Sequence, residues 1–504
     1  MFKLLLLLVL VSCSKNETNN SNNLPEINRP KVQTEEGKSE FKVLMSPHQG
    51  TEAFQAIYER VKAAKDSIKV TIYSWSDADF ADALNFALDK ENPPVVRIVM
   101  RKAQFKKHHN TITQLEAKGA MFKVSKINLH EKFFIIDGNK LINSSANMSG
   151  GAENKYSEDF VFIDSIEEES DSPITSLFKD FENEFAIIWN SASDYKTEDE
   201  ITTADELDHF VKDSNTVALD SNARLLSTSM NYSVEPPSAR DIAEGAVISL
   251  NRKPSRKEQV WTVRDGLIKH INLAKKNISV NINHFNLEEI SNALIEAVKR
   301  GVDVKMVVDS LEFHSKLHSR EKTPLFVSDY KKLKGADSEA PVRIKFYSFN
   351  PHYSSWSLNH HKYMLIDFDE NDMGKAKLLA GSYNYSKTAE HAKFDNQVLY
   401  KGERFAEIIK AFKIEFDYLW SLERNQDDSL SPTFTTQFSK PQNGLITLHT
   451  SSPFSLKWKE AVLLESQIKT LYPDAPFFGK HSHCAYYNVV KKVFIKRDRV
   501  SVCR

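Results

Sequence analysis

Two stretches of this chain repeat one arrangement of reactive side chains. In the first, His130 and Lys132 lead through Phe133-Phe134-Ile135-Ile136 to Asp137, then to Ser144-Ser145-Ala146-Asn147. In the second, His360 and Lys362 lead through Tyr363-Met364-Leu365-Ile366 to Asp367, then to Gly381-Ser382-Tyr383-Asn384. Both read His-x-Lys-x4-Asp followed by a small-Ser-x-Asn tetrapeptide. Residues two apart in an extended segment project from one face, so each His and its Lys are expected side by side on a strand. Together the copies supply two imidazoles, two ammonium groups and two side-chain amides. That set suits a phosphodiester. Lysines and asparagines can donate to the non-bridging oxygens, where charge gathers during transfer. One histidine can attack phosphorus while the other protonates the departing alcohol.

Each copy is trailed by an acid, Glu158 in Tyr156-Ser157-Glu158-Asp159-Phe160 and Asp395 in Lys393-Phe394-Asp395-Asn396-Gln397. The constellation resembles the phospholipase D superfamily. The resemblance implies that these carboxylates bond the histidine rings, fixing their tautomer and raising their basicity. Ser145 and Ser382 are expected in supporting roles. Asp137 and Asp367 are expected to be structural or tautomer-setting. The chemistry implied is transfer through a covalent phosphohistidine without cofactor or metal, with His130 as the nucleophile. Relatives with one motif complete the site by dimerising; a chain with both is expected to act as a monomer. Two departures stand out. Ser144 occupies a position where glycine is usual, which predicts a slightly tighter pocket, and the polar stretch 368–375 reads as an extended hairpin turn.

The elements that must position these residues also repeat. Phe54, Ile57, Val61 and Ala64 recur at helical spacing, followed by a strand over 67–73, a helix over 80–88 and a strand over 95–100. The same order returns with Val263, Leu267, Ile271 and Ala274, a strand over 278–282, a helix over 288–300 and a strand over 302–308. This alternation predicts an α/β fold with some parallel pairing. The resemblance implies two α/β/α half-domains about a pseudo-twofold axis, with the active site at their seam. Composition suggests half-domains at 41–190 and 242–424, joined by a polar linker at 191–241 containing Pro236-Pro237. Residues 425–504 are expected to hold a second break and a small C-terminal accessory unit.

The amino terminus adds a separate signal. A charged start and a short leucine-rich run end in Leu10-Val11-Ser12-Cys13, too short to span a bilayer. It resembles a bacterial lipobox, so residues 1–13 are expected to be a signal ending at a lipidated Cys13. Polar, aperiodic residues 14–40 then form a disordered tether. Export to a membrane surface follows. Ser14, not aspartate, follows the cysteine, which under enterobacteria-like sorting would indicate the outer membrane. Cys484 and Cys503 remain, and in an oxidising compartment they are expected to pair.

Charge excludes little: 67 basic residues balance 68 acidic ones, so the chain lacks the overall footprint of a polyanion binder. Residues 491–504 are locally basic and suit either the solvated face of an edge strand or a contact with headgroups or nucleic acid. His108, His109, His352 and His391 match no structural zinc spacing. Tyr353 and Trp356, ahead of the second motif, suit either core packing or contact with headgroups or bases. The superfamily includes phospholipases, phosphatidyl transferases and nucleases, and the second motif looks similar to the branch of bacterial nucleases and mitochondrial cardiolipin hydrolase. An anchor beside phospholipid and a neutral composition favour a phospholipid substrate. Nucleic-acid phosphodiesters come second, and a non-catalytic envelope protein holding phosphorylated ligands third.

Overall fold

The structure, a computed structural model, describes residues 39–166, 172–194, 222–252, 263–309, 342–347, 358–421, 445–447, 465–466, 468–470, 472–477, 484 and 486–495. Cys13, most of the expected tether, His352, Tyr353, Trp356 and Cys503 lie outside these residues.

The first half opens with β1 (Glu40–Ser46), α1 (Gly50–Ala63), β2 (Ser67–Ile72), α2 (Ala78–Leu88) and β3 (Val95–Arg101). It continues through α3 (Lys102–Glu116), β4 (Met121–Ser125), β5 (Asn128–Leu129), β6 (Phe133–Ile136) and β7 (Lys140–Ser144). It closes with α4 (Gly150–Asn154), β8 (Glu158–Asp164), α5 (Pro173–Ser191) and β9 (Ser193–Asp194). Its sheet runs β1-β8-β7-β6-β2-β3-β4-β9. Strands β2, β3 and β4 pair in parallel, and the rest are antiparallel.

The second half starts with β10 (Ala223–Ser227), then a ribbon of β11 (Tyr232–Glu235) and β12 (Ser249–Arg252) around α6 (Ala239–Ala243). Next come α7 (Val263–Leu273), β13 (Asn277–Ile282), α8 (Glu288–Lys299), β14 (Asp303–Asp309) and β15 (Val342–Tyr347). After them follow β16 (Lys362–Ile366), β17 (Lys377–Gly381), α9 (Lys387–Ala392), β18 (Lys393–Phe394), β19 (Asn396–Lys401) and α10 (Ala406–Ser421). The sheet order, β10-β19-β17-β16-β13-β14-β15, matches the first sheet strand for strand, with β9 as the extra. The expected α/β repeat is therefore present.

The apolar runs beside the motifs do not alternate because both faces of each sheet are covered. All four residues of β6 are buried. Phe134 and Ile136 join the core over α1 and α2, whereas Phe133 meets Phe181 and Phe185 of α5 with ring centroids 5.0 and 6.4 Å apart. Truncating Phe133 or Phe134 to alanine would cost about 3–5 kcal/mol.

Three expectations need correction. The motif histidines precede their strands: residues 130–132 fall between β5 and β6, and β16 begins only at Lys362. Backbone bonds to the other half, described below, take these residues out of the ladder. Residues 191–241 are not simply a connection, because β9 joins the first sheet and β10 the second. β10 fills the edge that β1 fills in the first half, and its Leu225 and Leu226 are buried. The C-terminal segment is likewise not separate. Its sheet of β20 (Leu445–Thr447), β21 (Tyr486–Asn488) and β22 (Val493–Ile495) contributes Tyr487 and Phe494 to the core of the second half, along with Ile468 and Cys484. Cys484 is buried and disulfide-bonded. β22 is an edge strand.

Candidate active site

Backbone pairing across the seam sets the two motif histidines. β5 pairs in parallel with β18, Asn128 opposite Lys393 and Leu129 opposite Phe394. The next residue on one side is His130 and on the other Asp395. His130 N–H donates to Phe394 O at 2.9 Å. The mirror arrangement forms at Ser157, whose N–H donates to Leu358 O at 2.8 Å while His360 N–H donates to Ser157 O at 2.9 Å. Glu158 then faces His360.

Each imidazole is consequently held by the acid of the other half. His130 Nδ1 lies 2.6 Å from Asp395 Oδ1, and His360 Nδ1 lies 2.7 and 2.8 Å from Glu158 Oε1 and Oε2. With its carboxyl ionised, each acid accepts the Nδ1 proton, which leaves the Nε2 lone pair of that imidazole free. The acids are themselves fixed. Ser145 Oγ donates to Glu158 Oε2 at 2.7 Å, and Ser382 Oγ donates to Asp395 Oδ1 at 2.9 Å. The Lys132 and Lys362 ammonium groups are buried and donate to the carbonyls of His130 and His360 respectively. Asn384 Oδ1 accepts His284 N–H at 3.2 Å, and Asn147 is half-buried just ahead of the Met148 bridge to Trp75.

Asp137 and Asp367 are structural, without the tautomer-setting option. Both have left-handed backbones, φ 52° and 53°, at the far ends of β6 and β16. Asp137 accepts N–H groups of Lys65, Asp66 and Ser67 at 2.8–3.1 Å. Asp367 accepts those of Lys275 and Lys276 at 2.8 and 2.7 Å. Each thus fastens the turn between the first helix of its half and the central strand. Ser144 does not narrow the pocket either. Its Oγ donates to Asp159 O at 2.7 Å and accepts Ala146 N–H at 2.8 Å, so the hydroxyl serves the β7–β8 backbone. At Gly381 an added Cβ would come within 2.5 Å of Asn396 O, so the glycine is required only in the second half.

Removal from water dominates the electrostatics. Burial, then the ammonium of the same motif, holds His130 and His360 well below the usual imidazole range. Burial brings Lys132 down to about 7, with Lys362 adding repulsion, and Lys362 down to about 8. Burial likewise pushes Glu158 up to about 8 and Asp395 up to about 7. The pocket thus holds neutral imidazoles beside two lysines whose ammonium forms are costly to bury. An incoming phosphodiester anion would relieve that cost and favour the ammonium forms.

A second cross-half layer lies beneath and was not anticipated. His361, fully buried, sits 2.8 Å from Asp159 Oδ2 of the first half and 3.5 Å from Glu415 Oε1 of α10. Burial alone would lower this imidazole, but the two carboxylates outweigh it and raise it to about 9. The matching position of the first motif is Glu131. There burial and neighbouring Glu184 of α5 raise the carboxyl well above its usual range. The available sequence signal was a glutamate on the apolar face of each long helix, in Glu184-Phe185 and Glu415-Phe416.

Residues 57–189 and 267–420, more than half of the chain, match the family described as cardiolipin synthase, PLD-like domain. The mitochondrial cardiolipin hydrolase of Danio rerio is 26% identical over 149 residues, which are 29% of this chain and 61% of that protein. The chain therefore spans less than two thirds of this relative's length. Phosphatidylserine synthase of Haemophilus influenzae Rd KW20 shares the fold, with TM-score 0.50 and 14% identity over 79% of this chain and 89% of that one. Nuc from Salmonella typhimurium, a phospholipase D family member, is 22% identical with TM-score 0.27, over 32% of this chain and 100% of that one. With a family match spanning both halves and the doubled fold, the chain belongs to the phospholipase D superfamily of phosphodiester-acting enzymes.

Proposed function

We propose that this chain is a phospholipase D-type phosphodiesterase that hydrolyses or transfers phospholipid headgroups through a covalent phosphohistidine. The crossed pairing of His130 with Asp395 and His360 with Glu158 carries this reading. It supplies two imidazoles, each with Nδ1 occupied and Nε2 available, beside two lysines. In the first step His130 Nε2 attacks phosphorus, and the P–O bond to the headgroup alcohol breaks. His360, protonated at Nε2 once the anion is bound, gives that proton to the leaving oxygen. In the second step neutral His360 takes a proton from water or an acceptor alcohol. The resulting oxygen attacks phosphorus, the P–N bond breaks and His130 is regenerated. Lys132, Lys362, Asn147 and Asn384 act as donors to the non-bridging oxygens. Both half-sites lie in one chain, so a monomer suffices.

Lipidation at Cys13 would hold the enzyme against its substrate. The lipobox-like Leu10-Val11-Ser12-Cys13 supports this. Cys13→Ser should release the chain from membranes while turnover of a soluble diester continues; membrane retention of that variant would count against the anchor.

Endonuclease action is the alternative. One observation favours it: the charge of Lys393 on β18 bears on His130, Lys132 and Lys362, adding a cation of the kind a polyanion would use. The deciding experiment incubates the protein with phosphatidylcholine and cardiolipin vesicles and with single- and double-stranded DNA. Headgroup or phosphatidate release should dominate. DNA cleavage without lipid turnover would reverse the choice.

A further inference from the structure

The surroundings of the two motif histidines differ between the halves. Tyr73 directly follows β2 and Arg101 ends β3, at the carboxyl ends of neighbouring parallel strands, where open α/β sheets bind ligands. Arg101 Nη1 donates to Tyr73 Oη at 2.5 Å, and its guanidinium carbon lies 4.9 Å from the ring centroid. That same ring meets the His130 imidazole edge-on, with centroids 5.1 Å apart at 74°. Lys132 Nζ stands 5.5 Å from it. Tyr73 and Arg101 are both only half-buried.

Asn283 and Asp309 occupy the matching positions after β13 and at the end of β14. Both are buried and serve the backbone that leads into His360. Asp309 Oδ2 accepts Asn359 N–H at 2.7 Å, and Asn283 Nδ2 donates to Asn359 O at 2.7 Å. The His130 side therefore carries a half-buried guanidinium against Tyr73 where the His360 side carries a buried carboxylate. Lys393, half-buried, adds positive charge on the His130 side.

We propose that Arg101, oriented by Tyr73, forms a subsite for a second anionic group on the substrate, a carboxylate or phosphate carried by the headgroup beside the scissile phosphodiester. A guanidinium offers five N–H donors in a planar fork. Tyr73 takes one of them, and the fork geometry matches a carboxylate or phosphate. A quaternary ammonium headgroup would meet Arg101 and Lys393 as like charges. The enzyme therefore discriminates by headgroup charge, through a residue pair found in one half only. This inference rests on the phospholipid reading above.

The test uses monomeric dihexanoyl phosphatidylserine and dihexanoyl phosphatidylcholine, which remove any effect of vesicle surface charge. The wild-type chain should favour the serine lipid in kcat/KM. Arg101→Gln should cut that preference about tenfold or more, as expected for a lost hydrogen bond to a charged group. Arg101→Lys should restore part of it, and Tyr73→Phe should weaken it with a smaller effect. Thermal melting of each variant separates loss of binding from loss of fold. Lipid turnover with the serine-to-choline ratio unaltered in Arg101→Gln overturns the subsite and leaves the phospholipid reading standing. DNA cleavage with neither lipid turned over overturns both.

Discussion

His130 and Asp395 are separated by 265 positions in the sequence, yet Nδ1 and Oδ1 lie 2.6 Å apart at the seam. Neither half on its own orients its histidine. The acid that trails each motif serves the other motif, and the backbone bonds at Phe394 and Ser157 set that crossing before any side chain is considered.

Because the wiring is crossed, Asp395→Asn should behave as a defect in His130 and Glu158→Gln as a defect in His360. Each should lower kcat by about 10²–10⁴, the range of a disabled acid–base group. Adding Asp395→Asn to His130→Ala should cost little more, whereas adding Asp395→Asn to Glu158→Gln should cost far more. Steady-state kinetics on a 4-nitrophenyl phosphodiester reads this directly, and additivity of the first pair would argue against the crossed assignment.

Lys132→Met keeps length and removes charge. If the ammonium acts on oxygens that gain charge during transfer, kcat should fall by more than KM rises. A change confined to KM would show that Lys132 binds ground state and transition state alike.

Both motif histidines sit well below the usual imidazole range in the free site, chiefly through burial. Neutral nucleophile should therefore persist as pH falls through the ordinary histidine value near 6.5. Imidazole protonation should contribute to the acid limb of kcat/KM only below that value, while loss of the Asp395 and Glu158 carboxylates contributes nearer 7 and 8. An imidazole step centred at about 6.5 would mean that the pocket is wetter than its burial implies.

The triad of His361, Asp159 and Glu415 makes a stability claim with a definite sign. The imidazole binds its proton more tightly folded, at about 9, than unfolded, at about 6.5. Its contribution is fully present below pH 6.5 and lost as pH rises through 9. By linkage the difference is on the order of 3 kcal/mol. His361→Gln should thus lower Tm most at pH 6 and least above pH 9. A pH-independent difference would show that His361 is held neutral.

Much of this was legible in the sequence for physical reasons. The helix and strand order of each half followed from residues such as Ile57, Val61, Ile278 and Val280, whose spacing reports which face is buried. The paired motifs identified the side chains that gather at the seam. What escaped depended on contacts between distant segments. Local pattern could not show that His130 leaves its strand to bond Phe394, or that Leu225 and Leu226 complete the second sheet from within a polar stretch. Nor could it show that the residue between His and Lys, Glu131 or His361, would meet a buried glutamate on a long helix. Ser144 leaves the pocket unchanged because its hydroxyl meets the backbone acceptor at Asp159, a contact between separate strands that the local sequence does not show.

The central claim is a covalent intermediate on a histidine at the seam, and trapping tests it most directly. A 4-nitrophenyl phosphodiester needs no acid for its leaving group, so His360→Ala should still be phosphorylated but should release product slowly. After an alkaline quench, peptide mass spectrometry should find the phosphoryl adduct on His130 of that variant and none in His130→Ala. An adduct on His360 alone would exchange the two roles. Turnover with no histidine adduct in either variant would contradict the mechanism.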